Sequence, residues 1–405
     1  MEIPCLAKHA DTRINVSHES YSVEGSAKKK ITKLRRSKGR QVRVWSYDSL
    51  RSNGEHMSEG AEIVGYDVAA VEKWINENTE GLEPPFGWTR LEGGHSNLTY
   101  ALRDQNGRTA VVRRPPMGEL LPKAHDMGRE FSIISGLGPT AVPVPVAYGY
   151  CESPDVTGAH FYVMSQVDGK ALFELEDAHE YLDVNARANV GLSFMDVLAA
   201  LHSVDPDEVG LGDLGKKEDY VGRQIRTWYR SWQASAEGAA YDDPDLHELH
   251  SFLEARRPEQ GPARVVHGDY GLHNCLVDEN GQITAVLDWE ISTLGDPMAD
   301  FAYALNTWAE PADELVNKEN SPTLAEGFLG RSELIERYES KTRCDLSNLP
   351  YYLSFNHFKT ACIVHGVYAR YMQGQKSTEG VDLDYYRTRI GVSIELSKQA
   401  AADLS

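Results

Sequence analysis

The chain has 405 residues, 41% of them hydrophobic, which is enough for two or three domains or for two lobes around a cleft. Five cysteines (Cys5, Cys151, Cys275, Cys344, Cys362), odd in number and without a CxxC pair, argue against a disulfide framework and a cysteine-rich zinc site and fit a reducing, cytoplasmic setting. A formal net charge of −20 speaks against a nucleic-acid partner, and no apolar run of about 18 residues or signal-peptide pattern speaks for a membrane.

The charge is uneven along the chain. Residues 1–60 hold 12 Lys+Arg against 7 Asp+Glu, and residues 61–405 hold 29 against 54. Within the first part, "KKKITKLRRSKGRQVR" (Lys28–Arg43) carries nine basic residues, no acid and little apolar periodicity, so residues 1–60 are expected to form a basic, disordered extension. Met57 would make a natural start, and the first 56 residues are expected to be dispensable. Asp67 then caps a helix whose Val68, Val71, Trp74 and Ile75 fall at helical spacing. "GWTRLEGGHSNLTYALRDQNGRTAVVRRP" alternates polar and apolar residues, broken at Gly93-Gly94 and at the hairpin signal Asn106-Gly107, and reads as three antiparallel strands. A helix over Lys123–Leu137 and strands over Val144–Tyr150 and Phe161–Val167 follow.

Beyond Gly169 the pattern is mainly helical, with Val190, Phe194, Val197, Leu198 and Leu201 on one stripe and further helices over Tyr220–Ala234, Leu246–Ala255 and from Met298 onward. The chain divides into a strand-rich lobe (61–168) and a helical lobe (169–405), joined near Gln166–Lys170, an α+β two-lobe organisation. "GLGDLG" (210–215) follows no strand and is expected to be a loop; no GxSxG elbow and no GxxxxGK[ST] phosphate loop occurs.

The chemistry gathers in "VVHGDYGLHNCLVDENGQITAVLDWE", residues 265–290. Val265 and Val266 end a strand, His267-Gly268-Asp269 turns out of it, Asn274 opens a return strand, and Ile283, Ala285 and Leu287 alternate up to Asp288. Phosphoryl transfer from ATP needs such a set: Asp269 as the base for an attacking hydroxyl, and Asn274 and Asp288 as oxygen ligands for Mg²⁺. His267 is expected to hold the loop by hydrogen bonds, and His273 to be a loop residue or substrate neighbour. The competing readings are a buried polar loop, and a metal hydrolase using His267, Asp269, His273 and Asp288; the HExxH helix common in zinc hydrolases is absent.

The order His267-x-Asp269-x4-Asn274 followed by Asp288 resembles the catalytic and metal loops of the aminoglycoside phosphotransferase and choline kinase group of the protein-kinase-like fold, over about residues 64–400. The resemblance implies a small antiparallel-sheet N-lobe that binds ATP and a larger helical C-lobe. It implies a basic residue on the third strand to grip the phosphates, held by an acid on the next helix. Arg113 of "TAVVRRPP" (with Arg114 beside it) stands where the family usually has Lys, and Glu130 of "GREFSII" supplies the acid. "EGGHSN" would be the nucleotide-covering hairpin, with Ser96 donating to phosphate. The run from Gly93 to Phe131 is similar to the subset that includes the kinase-like domain fused to some acyl-CoA dehydrogenases.

After Asp288, "DWEISTLGDPMADF" runs directly into a helix, leaving no room for the activation segment that seats a peptide, so a small-molecule hydroxyl is the expected acceptor. Asp300 of this element is expected to brace the catalytic loop, and Asp296 to cap the helix starting at Pro297. Candidates for the acceptor site are Arg223, Arg226, Trp228 and Tyr229, and Tyr368, Arg370 and Tyr371, whose aromatic members are also spaced as core residues. A hydroxyacyl-CoA or related hydroxy acid would want such arginines, whereas a polycationic aminoglycoside would want an acidic pocket. A pseudokinase that regulates a partner is the third reading, opposed by the complete set Asp269, Asn274 and Asp288.

Overall fold

Strand and helix periodicities meet in an N-lobe whose sheet is covered on both faces. The computed structural model describes residues 63–91, 97–118, 125–313 and 320–404, so the basic extension, Met57, Gly93-Gly94 and Ser96 lie outside the described residues. Five antiparallel strands, β1 (Gly87–Arg90), β2 (Leu98–Arg103), β3 (Thr109–Arg114), β4 (Ala147–Cys151) and β5 (Phe161–Ser165), form one sheet in the order β1-β2-β3-β5-β4. Register places Tyr100 opposite Val112 and Val112 opposite Val163, so one face is apolar. It packs against α1 (Val68–Asn78), with Trp74 edge-on to Phe161 at 5.0 Å between ring centroids. The other face carries Arg113 and Tyr162 towards α2 (Met127–Leu137).

Two elements of the N-lobe start later than the sequence expectation. The helix expected from Lys123 begins at Met127, because Asp126 caps it by accepting the Arg129 amide at 3.0 Å and His125 has φ +56°. The strand expected from Val144 begins at Ala147, because Pro143 and Pro145 have no N–H to give to a ladder.

In the C-lobe, α3 (Leu175–Tyr181), α4 (Val184–Ser203), α5 (Tyr220–Ala239) and α6 (Pro244–Ala255) precede two short hairpin-like pairs, β6 (Arg264–Val266) with β9 (Thr293–Gly295) and β7 (Cys275–Val277) with β8 (Ile283–Val286). Helices α7 (Pro297–Thr307), α8 (Arg331–Thr342), α9 (Leu349–Met372) and α10 (Leu383–Ala402) complete it. The long helix α9 is the spine, packed on α5, α7 and α10. Residues 210–215 form a loop. Among the described residues no helix is long and apolar enough to cross a membrane.

The connection between the lobes is pinned to the C-lobe. Lys170 donates its amide to the Val277 carbonyl at 2.9 Å and accepts the Val277 amide at 3.0 Å, and its ammonium pairs with Asp177 at 2.9 Å. Gly169 makes this approach possible: at φ +144° it lies where side chains are rarely found, and a β-carbon would sit 3.0 Å from the Val277 carbonyl oxygen. Gly169→Ala is expected to lower stability by about 1–3 kcal/mol, read as a lower urea midpoint at unchanged slope; an unshifted midpoint would show the seam to be soft.

Candidate active site

The candidate catalytic loop, residues 267–274, is held by one buried carboxylate. Asp300, on the first turn of α7, accepts the backbone N–H of His267 at 2.7 Å and of Gly268 at 2.8 Å, and His202 of α4 lies 3.3 Å from its Oδ2. Burial pushes the Asp300 carboxyl up, but its contacts with His202 and His267 outweigh this and hold it below its usual range. Gly268 takes φ +82°, so the chain turns sharply and delivers Asp269. His267 accepts the Asp269 amide at Nδ1 (3.3 Å) and donates from Nε2 to the Leu287 carbonyl (2.9 Å), which fixes its tautomer and ties the loop to the segment that leads from β8 to Asp288.

Asp269 is 2% exposed. Asn274 Nδ2 donates to its backbone carbonyl at 2.9 Å and lies 3.3 Å from Oδ2, while the Tyr303 hydroxyl, from α7, donates to Oδ1 at 2.5 Å. His273 Nε2 stands 3.5 Å from Oδ1. Burial alone would push this carboxyl up; His273, the Tyr303 hydrogen bond and His267 together hold it well below the usual carboxylate range. Asp269 is therefore ionised at neutral pH, with one oxygen bound by Tyr303.

Two N-lobe guanidinium groups reach the segment after β8, Arg113 at Asp288 and Arg129 at the Ser292 carbonyl (2.6 Å). Strand alternation sends Arg113 into the cleft and Arg114 to the opposite face, where Arg114 bonds the carbonyls of Gly65 and Thr157. Arg113 pairs through Nε with Glu130 Oε2 at 3.1 Å and through Nη2 with Asp288 Oδ1 at 3.2 Å, and Tyr162 donates to the same Glu130 oxygen at 3.0 Å. Burial works against the Arg113 charge, but Glu130, with Asp288 and Glu290 adding to it, raises the guanidinium further and keeps it charged. Burial pushes Glu130 up to about 7 against the pull of Arg113. A raised carboxyl gives stability that is present below its ordinary 4.5 and lost as pH climbs through about 7. The thermal midpoint of wild type is therefore expected to fall more steeply across that window than that of Glu130→Gln; parallel curves would contradict this.

The oxygen set suits a magnesium ion. Asn274 uses its Nδ2 on Asp269, which leaves Oδ1 as the acceptor oxygen, and Asp288 adds a carboxylate; hard oxygens supplemented by phosphates and water are what Mg²⁺ accepts. The hydrolase reading fares worse, because both ring nitrogens of His267 are engaged and neither is left for a metal.

Asn274 is bonded to Asp269 and accepts the Leu287 amide at 2.8 Å, next to Asp288, and Asp288 pairs with Arg113 and Arg113 with Glu130, while Ser96 lies outside the described residues. The helical candidates are differently placed. Trp228 and Tyr368 are buried in the C-lobe core, and Tyr229 stacks on His250 of α6 at 3.7 Å. Arg223 donates to the Lys216 carbonyl, and Arg226 pairs with Asp219 at 2.6 Å. Tyr371 is buried against Tyr386, and Arg370 is half-buried in the last turn of α9. Asp296 caps α7 by accepting the Met298 amide at 3.0 Å. Sequence reading missed Tyr303 and Lys359. Tyr303 falls one turn after Asp300 on the same face of α7, a spacing that could have flagged it; Lys359 comes from nearly a hundred residues away and carried no local signal.

Comparison with known proteins shows the family. Residues 87–333 match the signature of the phosphotransferase enzyme family. Acyl-CoA dehydrogenase family member 10 of Mus musculus is 33% identical over 310 residues, which is 73% of this chain but 27% of that protein, so the chain spans about a quarter of that relative's length. A solved protein of Ralstonia eutropha JMP134, assigned by name to the aminoglycoside phosphotransferases, is 29% identical, with a TM-score of 0.71 over 82% of this chain and 99% of that one. A thermostable aminoglycoside phosphotransferase mutant solved with AMP-PNP and hygromycin B shares the fold at 18% identity, with a TM-score of 0.51 over 81% of this chain and 98% of that one. With the family signature and the two-lobe α+β fold in agreement, the chain belongs to the phosphotransferase enzyme family and is a small-molecule kinase.

Proposed function

We propose that the chain transfers the γ-phosphoryl group of ATP, in the presence of Mg²⁺, to a hydroxyl of a small molecule, with a hydroxyacyl-CoA or related hydroxy acid as the favoured acceptor. The observation that carries this reading is the bonding of Asn274 to Asp269 and to the Leu287 amide beside Asp288, with Arg113 of the N-lobe paired to Asp288. In the proposed step the acceptor oxygen bonds to the γ-phosphorus, the bond to the bridging oxygen of ADP breaks, and the hydroxyl proton passes to Asp269. Oδ1 accepts the Tyr303 hydrogen and Oδ2 is approached by Asn274 Nδ2, so both oxygens of the receiving carboxylate are held in place. A carboxylate held this low is a weak base, suited to a loose transition state in which it orients the hydroxyl and receives the proton late. Arg113 would grip phosphate oxygens, Glu130 would hold Arg113, and Ser96 would donate from the covering hairpin. Asn274 and Asp288 would hold Mg²⁺, which when bound neutralises phosphate charge. The acceptor would lie against α5 and α9, where Arg223 and Tyr229, which are only partly buried, are the candidates that remain, while Trp228 and Tyr368 would act from the core behind them.

Family membership and the AMP-PNP bound by the fold neighbour support ATP as donor. The likeness to an acyl-CoA dehydrogenase family member supports an acyl-CoA-derived acceptor. The test is ADP release over hydroxyacyl-CoAs, hydroxy acids, aminoglycosides, macrolides and choline, with Asp269→Asn as control. Turnover of a hydroxyacyl-CoA or hydroxy acid that the control lacks is the expected result. Zinc-dependent turnover without ATP would replace this reading with the hydrolase, and a preferred aminoglycoside would replace the acceptor.

A further inference from the structure

The first turn of α2 reaches the C-lobe loops through two neighbouring residues, and the steps above use one of them. Glu130 holds Arg113, which pairs with Asp288 at 3.2 Å. Arg129 sends Nη2 to the backbone carbonyl of Ser292 at 2.6 Å. Its guanidinium is partly buried, and burial works against the charge, with Asp126 offsetting part of that penalty. A cation carried out of water and given to a main-chain carbonyl fixes the place of a chain segment, because a hydrogen bond to a charged donor is among the stronger ones and has a direction.

Ser292 is placed to pass that position on. It is wholly buried, and its hydroxyl donates to the carbonyl of His267 at 3.1 Å, in the loop that carries Asp269. The residue before it, Ile291, lies over Gly268, where a β-carbon would come 3.2 Å from Ile291 Cδ1. The chain entering α2 makes a further contact with the same segment, His125 Nδ1 standing 3.6 Å from Glu290 Oε2. Residues 289–296 are all that separate Asp288 from α7, so their order depends on what packs against them, with α2 on one side and the catalytic loop on the other.

We propose that Arg129 is a positioning residue that couples nucleotide binding at the N-lobe to the order of the catalytic loop, by a relay from α2 through Ser292 to His267. The inference rests on the kinase reading above and adds to it a residue that acts through its neighbours. When a nucleotide engages Arg113 and, through Glu130, draws α2 onto the C-lobe, the same movement seats Arg129 on Ser292. The Ser292 hydroxyl then holds the His267 carbonyl, and Asp269 is presented in one place. Asp300 braces this loop from within the C-lobe; the relay adds a hold that depends on the other lobe.

Hydrogen exchange of the backbone amides in residues 267–274, measured with and without ADP and Mg²⁺, tests the relay. In wild type the nucleotide is expected to slow this exchange by about tenfold, within the range of coupling between two sites of a protein. In Arg129→Met the slowing is expected to vanish while calorimetry gives an ADP affinity close to that of wild type, because a loop that opens seldom contributes little to that affinity. Arg129→Lys, which keeps a charged donor and guards against a folding defect, is expected to recover most of the slowing. Ser292→Ala keeps the carbonyl that Arg129 uses and removes the hydroxyl that reaches His267, so ADP is expected to slow exchange in α2 as in wild type and to leave residues 267–274 unaffected. Full slowing of residues 267–274 in Arg129→Met, or none in Arg129→Lys, would overturn the proposal. Weakened ADP binding in Arg129→Met together with faster exchange throughout the N-lobe would overturn it too, by reducing Arg129 to a general brace. ADP binding by wild type without any slowing sinks this inference alone, and no binding of ADP sinks the kinase reading with it.

Discussion

Asp269→Asn is expected to lower acceptor-dependent ADP release by about 10²- to 10⁴-fold, the usual contribution of a positioned base, while leaving the affinity for ADP within a few-fold of wild type. The amide is close in size and keeps an oxygen for the Tyr303 hydroxyl, so the loop geometry set by Asn274 and His267 has no reason to change. What it loses is the negative charge that orients the incoming hydroxyl and the site that receives its proton. The loss should therefore fall on kcat, because the interaction is made chiefly in the transition state. Unchanged turnover would remove Asp269 as base; a collapse of ADP binding would instead point to a role in holding the nucleotide.

Asp300→Ala is expected to have the largest effect on stability, about 3–5 kcal/mol, read from urea unfolding. Two buried backbone N–H groups, those of His267 and Gly268, would lose their acceptor at once, and His202 would lose the partner of its Nε2. Each orphaned buried donor costs about 1–3 kcal/mol, and bonds to a charged acceptor lie at the stronger end of the hydrogen-bond range. Asp300→Asn keeps one acceptor oxygen and should fall between wild type and Ala. A change below about 0.5 kcal/mol for Ala, the scale of a surface substitution, would contradict the bracing role assigned to Asp300.

Features written in short stretches of the chain were legible before the structure. The turn from His267 to Asn274 lies within eight residues, and the alternation of Ile283, Ala285 and Leu287 points to Asp288 at a strand end. Local chemistry of that kind survives tertiary packing. Choosing between Arg113 and Arg114 was harder, since "VVRR" gives no hint of which face of β3 looks into the cleft; only pairing with β5 and the position of α2 decides it. Lys359 was invisible for a related reason: its partners, Gly268 and Tyr303, come from other elements, and a lysine amid apolar residues in a helix has no sequence signature of burial. The aromatic residues of α5 and α9 gave an ambiguous signal, because helical spacing for a core and for a pocket is the same pattern.

Because Lys170 exchanges both backbone hydrogen bonds with Val277, the last part of the connecting segment moves with the helical lobe. Any opening of the jaw must then be absorbed between the end of β5 at Ser165 and Gly169. So short a leash permits rotation and little sliding. Arg113 can swing towards or away from Asp288, yet its alignment along the cleft is dictated by chain length, before any ligand enters.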